Sequence, residues 1–344
     1  MDKLTLIQPD DWHLHVRKGE ILKTVIAHTA RQFARAIIMP NLQPAVTTVD
    51  EALIYRSEIL QALPLESNFE PLMTLYLTPG TTKAEVKKAA AAAYVHAFKL
   101  YPAGATTNSD SGVNDLKAVY PILEAMEQVD IPLLIHGEVT NPECDIFDRE
   151  KVFIESSLVD IIAAFPNLRV VLEHVTTQEA VEFVLSTSDK VAATITPQHL
   201  MFNRNAILAG GIRPHHYCLP IIKRERHRLA LVKAAISGNP KFFLGTDSAP
   251  HLTGAKENNC GCAGCYSAYG ALELYAEVFE KENALDKLED FASFYGADFY
   301  QLARNSQTVT LQKQAWTVPA SYSVNNETIT PLKANEVLAW KLCH

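Results

Sequence analysis

Eight short runs of apolar, β-branched and aromatic residues recur down the chain, and their alternation with amphipathic stretches constrains the fold more than any other feature. They are residues 12–16 (WHLHV), 36–40 (AIIMP), 72–77 (LMTLYL), 96–101 (HAFKLY), 132–137 (PLLIHG), 170–175 (VVLEHV), 192–196 (AATIT) and 242–247 (FFLGTD). Between them, stretches such as LKTVIAHTARQF, KAEVKKAAAAA and LKAVYPILEAMEQ repeat apolar residues at three- and four-residue steps, as a half-buried helix requires. Strands alternating with helices build βαβ units on a parallel sheet, and eight such units predict a closed (β/α)8 barrel. An open doubly wound sheet is the competing arrangement, but no Gly-rich phosphate loop follows an early strand. One barrel can absorb 344 residues. The expectation is a single domain over 1–344, with a barrel core at about 12–305 and a C-terminal extension at about 306–344. The alternating runs TVTLQ and AWTVP in that extension are expected to pack on the outside of the barrel.

Charge and composition remove several function classes. A formal net charge of -8 argues against nucleic acid, and the basic stretch KRERHR (223–228) reads as a helix surface. The N-terminal apolar run is too short for a signal peptide, and no stretch approaches the ~20 apolar residues of a membrane span. A cytoplasmic protein is expected, and its six cysteines are expected to be free thiols. Cys260, Cys262 and Cys265 in CGCAGC offer three ligands without a fourth and without paired C-x-x-C spacing, so they are not read as a zinc site.

The C-terminal ends of barrel strands form the active-site face, which makes polar residues there informative. In an extended strand His13, His15 and Arg17 point to one side, and Leu14 and Val16 to the other. Asn41 follows the second strand, Lys99 lies inside the fourth, His136 ends the fifth, His174 the sixth and Asp247 the eighth, with His251 four residues on. Each alone has a plain reading, such as a hydrogen-bonded core histidine or a turn-capping aspartate. Lys99 resists one, because an ammonium in a buried strand needs an anionic partner, a lowered pKa or chemical modification. One metal site explains all of these positions together. Imidazole and carboxylate suit Zn2+, and two cations side by side need an anionic bridge. A lysine that takes up CO2 becomes a carbamate with two carboxylate-like oxygens, which removes the buried positive charge and supplies such a bridge.

The strings DDWHLHVR, MPNL, FKLYPAGATTNS, LIHGEV, LEHVTT, ITPQHL, HHYCLPIIK and GTDSAPH, in this order from about residue 12 to 271, resemble the amidohydrolase superfamily. Within it they are similar to the short, single-function bacterial branch that closes N-carbamoyl-L-aspartate to L-dihydroorotate. The resemblance implies two zinc ions per chain, His13, His15 and Asp247 on the more buried one, His136 and His174 on the other, and carboxylated Lys99 between them. It implies that Arg17, Asn41 and His251 hold the substrate carboxylate, with backbone groups of Leu219 and Ala263 assisting. It further implies that the segment 102–115 (PAGATTNSDSGVND) is a lid carrying Thr106 and Thr107. Asp247 would shuttle the proton of a metal-activated water, the chain would be a homodimer, and the cysteine cluster would lie beside the site without being the metal site. Gly104 stands where this resemblance leads one to expect Asn, and CYSAYGALE is a looser match after the cysteines.

Three other functions compete. Hydantoinase- or allantoinase-type cyclic-amide hydrolases usually place a small β-domain before the barrel, whereas only twelve residues precede His13. A Schiff-base aldolase using Lys99 leaves four histidines unexplained. A catalytically inactive barrel scaffold would have lost metal ligands, and every one is present.

Overall fold

The computed structural model describes residues 2–343. After an N-terminal strand β1 (Lys3–Ile7) come β2 (Asp10–Leu14), β3 (Arg35–Ile38), β4 (Glu70–Leu77), β5 (Val95–Leu100), β6 (Leu133–Ile135), β7 (Val170–Leu172), β8 (Val191–Ile195) and β9 (Phe242–Leu244). These last eight form one sheet in sequential order, each pair parallel, as the βαβ reading requires. The seam between β9 and β2 is joined by a parallel bridge from Leu14 to Ser248 just above the strand ends. The chain is therefore a (β/α)8 barrel.

Period 2 explains the barrel interior. Trp12, Ile37, Leu72, Ala97, Leu134, Val171, Ala192 and Phe243, one from each strand, belong to one buried cluster that fills the lower barrel. Trp12 stacks on Tyr300 at 4.5 Å between ring centroids, with their planes 8° apart, which plugs that end. Two residues further along, six of these eight positions become polar or small: Thr74, Lys99, His136, Glu173, Thr194 and Gly245. Gly245 is required there, because a Cβ would come within 2.7 Å of Thr194 Cβ and 3.2 Å of His13 Cβ.

Four more strands follow the barrel: β10 (Thr308–Thr317), β11 (Tyr322–Val324), β12 (Glu327–Ile329) and β13 (Val337–Leu342). The sheet they build is not made of tail residues alone. β1 pairs antiparallel with β10, which in turn pairs with β13, so the residues before the barrel complete a small sheet begun by the residues after it. That sheet docks on the helix Ala271–Lys281, whose Glu273, Glu277 and Glu280 accept bonds from Leu342 N, Ala339 N and Trp340 Nε1.

The strands end earlier than the apolar runs suggest. β2 stops at Leu14, so His15 and Arg17 lie beyond it rather than on one extended face with His13, and Arg17 has φ +60. β7 stops at Leu172 and β9 at Leu244. Above each end the chain turns sharply, and His174 and Asp247 both take φ +44.

Candidate active site

The polar row opens into a small cavity at the C-terminal ends of the strands. His13, His15, Arg17, Asn41, Thr106, Thr107, His136, His174, Leu219, Asp247 and Ala263 all line it. Lys99 lies directly beneath, fully buried, with Nζ 4.7 Å from the ring centroid of Tyr101, itself a wall of the cavity. His251 lines the adjoining outer space with Arg17 and Thr107. All thirteen residues singled out from the sequence thus gather at one end of the barrel.

Three ligand atoms converge at its base. His13 Nε2 lies 3.2 Å from His15 Nε2 and 3.3 Å from Asp247 Oδ1, and His15 Nε2 lies 3.2 Å from that oxygen. Bonds of about 2.0–2.1 Å to a tetrahedral cation put neighbouring ligand atoms ~3.3 Å apart, so the trio fits a divalent cation of zinc's size. A second buried trio of possible ligands is His13, Glu173 and His174. His136 is in neither trio. Its Nε2 faces Glu138 Oε2 at 2.8 Å, and its ring centroid is 4.8 Å from that of His174. The Nδ1 of His174 is buried without a partner. An orphaned buried nitrogen of this kind is the lone-pair donor that a metal-ligating imidazole would offer.

Burial and charge act in opposite directions on these groups. Burial disfavours a charged His13, but the carboxylates of Glu173 and Asp247 outweigh it and push the imidazole up to about 9. Burial opposes ionisation of Asp247 as well, yet the His13 charge and hydrogen bonds from both histidines hold it well below the usual carboxylate range. His15 falls to about 4, chiefly through burial. Burial also lowers Lys99, against the attraction of Glu173, to which its Nζ donates a hydrogen bond.

The upper wall is cationic and pre-arranged. Arg17 Nε donates to Pro250 O at 3.1 Å, and its Nη2 lies 3.0 Å from His251 Nε2. That same Nε2 is 3.0 Å from Ala263 O, so it either donates to the carbonyl or accepts from Arg17. Burial, reinforced by Arg17, holds His251 at about 2, which keeps the ring neutral. The segment 102–115 lies across this wall. Asn41 Nδ2 donates to Thr107 O at 3.1 Å, Asn108 Nδ2 to Asn41 O at 3.1 Å, and Thr107 Oγ1 to Ala263 O at 3.4 Å. Gly104 has φ +77 with open space around its Cβ position, a left-handed state that Gly takes without strain and Asn occasionally adopts.

Sequence reasoning passed over Asp11, Glu173 and Tyr101. Asp11 Oδ1 accepts from Thr246 N at 2.8 Å and His13 N at 3.2 Å, and its Oδ2 accepts from Thr246 Oγ1 at 2.6 Å. It ties the strand bearing His13 to the strand end bearing Asp247. Glu173 was detectable from alternation, since it lies two residues beyond the inward-facing Val171.

A parallel (β/α)8 barrel with His-x-His at its first strand, a buried lysine, two further histidines and an aspartate defines a metal-dependent hydrolase site. The match to a family model bears this out: the amidohydrolase family covers residues 5–338, and the chain belongs to that family. It is 63% identical over 342 residues to the dihydroorotase of Acaryochloris marina, covering 99% of both chains. The crystal structure of dihydroorotase from Campylobacter jejuni superposes with a TM-score of 0.92 at 34% identity, covering 100% of this chain and 98% of that one. Saccharomyces cerevisiae dihydroorotase, solved in complex with 5-fluoroorotic acid, gives a TM-score of 0.92 and 34% identity, with 100% and 99% covered. Within the amidohydrolases, these relatives place the chain among the dihydroorotases.

Proposed function

We propose that the chain interconverts N-carbamoyl-L-aspartate and L-dihydroorotate, the ring closure of de novo pyrimidine biosynthesis. The observation that carries the mechanism is the convergence of His13, His15 and Asp247 within 3.3 Å beneath a wall bearing Arg17 and Asn41. His13, His15 and Asp247 would hold one zinc ion, His136 and His174 a second, with carboxylated Lys99 joining the two. Bound there, the cations supply Lewis-acid polarisation of the reacting amide carbonyl.

The side chains do the rest. Arg17 offers a planar fork to the substrate carboxylate, with Asn41 and neutral His251 beside it and backbone groups of Leu219 and Ala263 at the ring. Thr106 and Thr107 close from above and exclude bulk water. Asp247, held ionised, takes a proton from the attacking water and passes it to the amide nitrogen, which leaves poorly unless protonated. Ring closure runs the same transfer backwards.

All six cysteines are free thiols, which suits the cytoplasm, and no helix among the described residues is long and apolar enough to cross a membrane. Family resemblance alone supports a homodimer, which sedimentation equilibrium checks. The deciding experiment combines metal analysis with a dihydroorotate hydrolysis assay. About two divalent metals per chain and turnover are expected. Asp247→Asn should lose several orders of magnitude in kcat. Near-normal kcat in a metal-loaded Asp247→Asn enzyme would move the shuttle to another residue.

A further inference from the structure

Glu173 is a buried carboxylate between residues on two other strands. It faces into the barrel just above Val171, with its side chain wholly buried. Its Oε2 accepts a hydrogen bond from Lys99 Nζ on β5. Its Oε1 stands 3.0 Å from Nδ1 of His13 on β2. Neither atom has another partner. Buried polar atoms are seldom left unpaired, so two such atoms facing each other at bonding distance are each other's partner after a small turn of the ring.

We propose that Glu173 is a positioning residue with two simultaneous tasks. It accepts the Nδ1–H of His13, so that when a metal takes the place of the other ring proton it is the Nε2 lone pair that faces His15 and Asp247. It also accepts an N–H of Lys99 whether that side chain is free or carboxylated, and this second task alone rests on the carbamate reading above. When a neutral amine takes up CO2 it forms one N–C bond and releases one proton, –NH2 + CO2 → –NH–COO⁻ + H⁺. One N–H remains on the now planar nitrogen. With that N–H donated to Glu173, the new carboxylate projects from the other side of the nitrogen, and repulsion between the two anions favours the same orientation. One glutamate therefore fixes both the tautomer of a histidine ligand and the direction of the bridging group, as outer partners of metal ligands commonly do.

Glu173→Gln keeps the shape but offers one acceptor oxygen where two are needed, and turns an NH2 toward the other donor. Against a competing chelator, its zinc dissociation constant should rise about 10- to 100-fold. The carbamate signal of protein equilibrated with ¹³CO2 should fall in parallel, with the circular dichroism of the fold retained. Glu173→Asp, which keeps the charge but shortens the reach, should recover part of both. In zinc-loaded wild type labelled with ¹⁵N-histidine, Nδ1 of His13 should carry the proton, a measurement that needs no variant to fold. Unchanged zinc affinity and carbamate in Glu173→Gln, or a His13 protonated at Nε2, overturns the proposal. Absence of the carbamate signal from wild type itself would instead sink the carboxylated-lysine reading, and the tautomer would still decide the first task.

Discussion

Arg17 shows a side chain prepared before any substrate arrives. Its left-handed backbone is clamped by Tyr55, whose hydroxyl donates to Arg17 O at 2.8 Å, and its Nε is committed to Pro250 O. Its Nη2 lies 3.0 Å from His251 Nε2, which leaves Nη1 uncommitted. Arg17→Lys keeps the charge and loses the planar fork, so KM should rise by roughly 10- to 100-fold, the loss expected for hydrogen bonds to a charged group. An unchanged KM would place the carboxylate elsewhere. His251 beside it stays neutral far below physiological pH, so in the proposed carboxylate site it would act as a dipole and not as a cation. The pH profile of KM should then show no inflection between pH 5 and 8 that disappears in His251→Asn. These residues were legible in the sequence because each polar side chain interrupts or ends an apolar run, as Lys99 does in HAFKLY. Glu173 was masked by its neighbour. In LEHV the histidine carries the obvious chemistry, yet the strand alternation turns the glutamate inward, and His174 reaches the site only through its φ of +44.

Among the elements, all eight barrel strands were visible because strands buried on both faces are short apolar runs. Their ends were not, because the ladder gives way to site-forming turns that apolarity does not mark. The role of β1 could not be read locally, since its partner β10 begins some three hundred residues later and KLTLI alone does not specify a pairing. The barrel seam has a comparable dependence on distant residues. Asp11 holds Thr246 across the gap between β2 and β9, one residue from Asp247. Asp11→Ala would leave buried Thr246 N and His13 N without this acceptor, costing on the order of 2–4 kcal/mol. Denaturant unfolding measures that loss, and metal retention should fall with it. If stability falls while metal content stays complete, the clasp supports the barrel but not the ligands. The segment 102–115, proposed above to close over the ligand, meets the wall through three side-chain bonds, Asn41 Nδ2 to Thr107 O, Asn108 Nδ2 to Asn41 O and the longer Thr107 Oγ1 to Ala263 O. Replacing Thr106 and Thr107 together by valine should lower kcat by about tenfold or more, by weakening closure, and leave metal content unchanged. Normal turnover would reduce the segment to an ordinary surface loop.

For the molecule as a whole, the question is whether barrel and C-terminal sheet unfold as one. The main apolar cluster runs without a break from barrel helices into Leu311, Leu338, Trp340 and Leu342, and we propose a single cooperative domain on that ground. Three histidines outside the proposed metal ligands provide a test. His28 packs its ring 4.6 Å from Tyr322 of the C-terminal hairpin, His96 lies on β5, and His199 follows β8 with Nδ1 facing Thr196 Oγ1 and Nε2 facing Pro220 O. Burial lowers each from 6.5 to about 4, with Arg31 adding to the effect at His28 and Arg35 at His96. A histidine whose folded pKa is depressed contributes stability that is present above pH 6.5 and lost as pH falls toward 4, because the unfolded chain takes up the proton first. Near pH 5 each should therefore bind about one proton on unfolding, a slope of ~1.4 kcal/mol per pH unit per histidine. Replacing any one of the three by glutamine should remove about one proton from that slope. If the chain is one unit, all three contributions appear in the same denaturant transition. A separate earlier transition whose proton uptake disappears in His28→Gln would show instead that the region around the β11–β12 hairpin unfolds on its own.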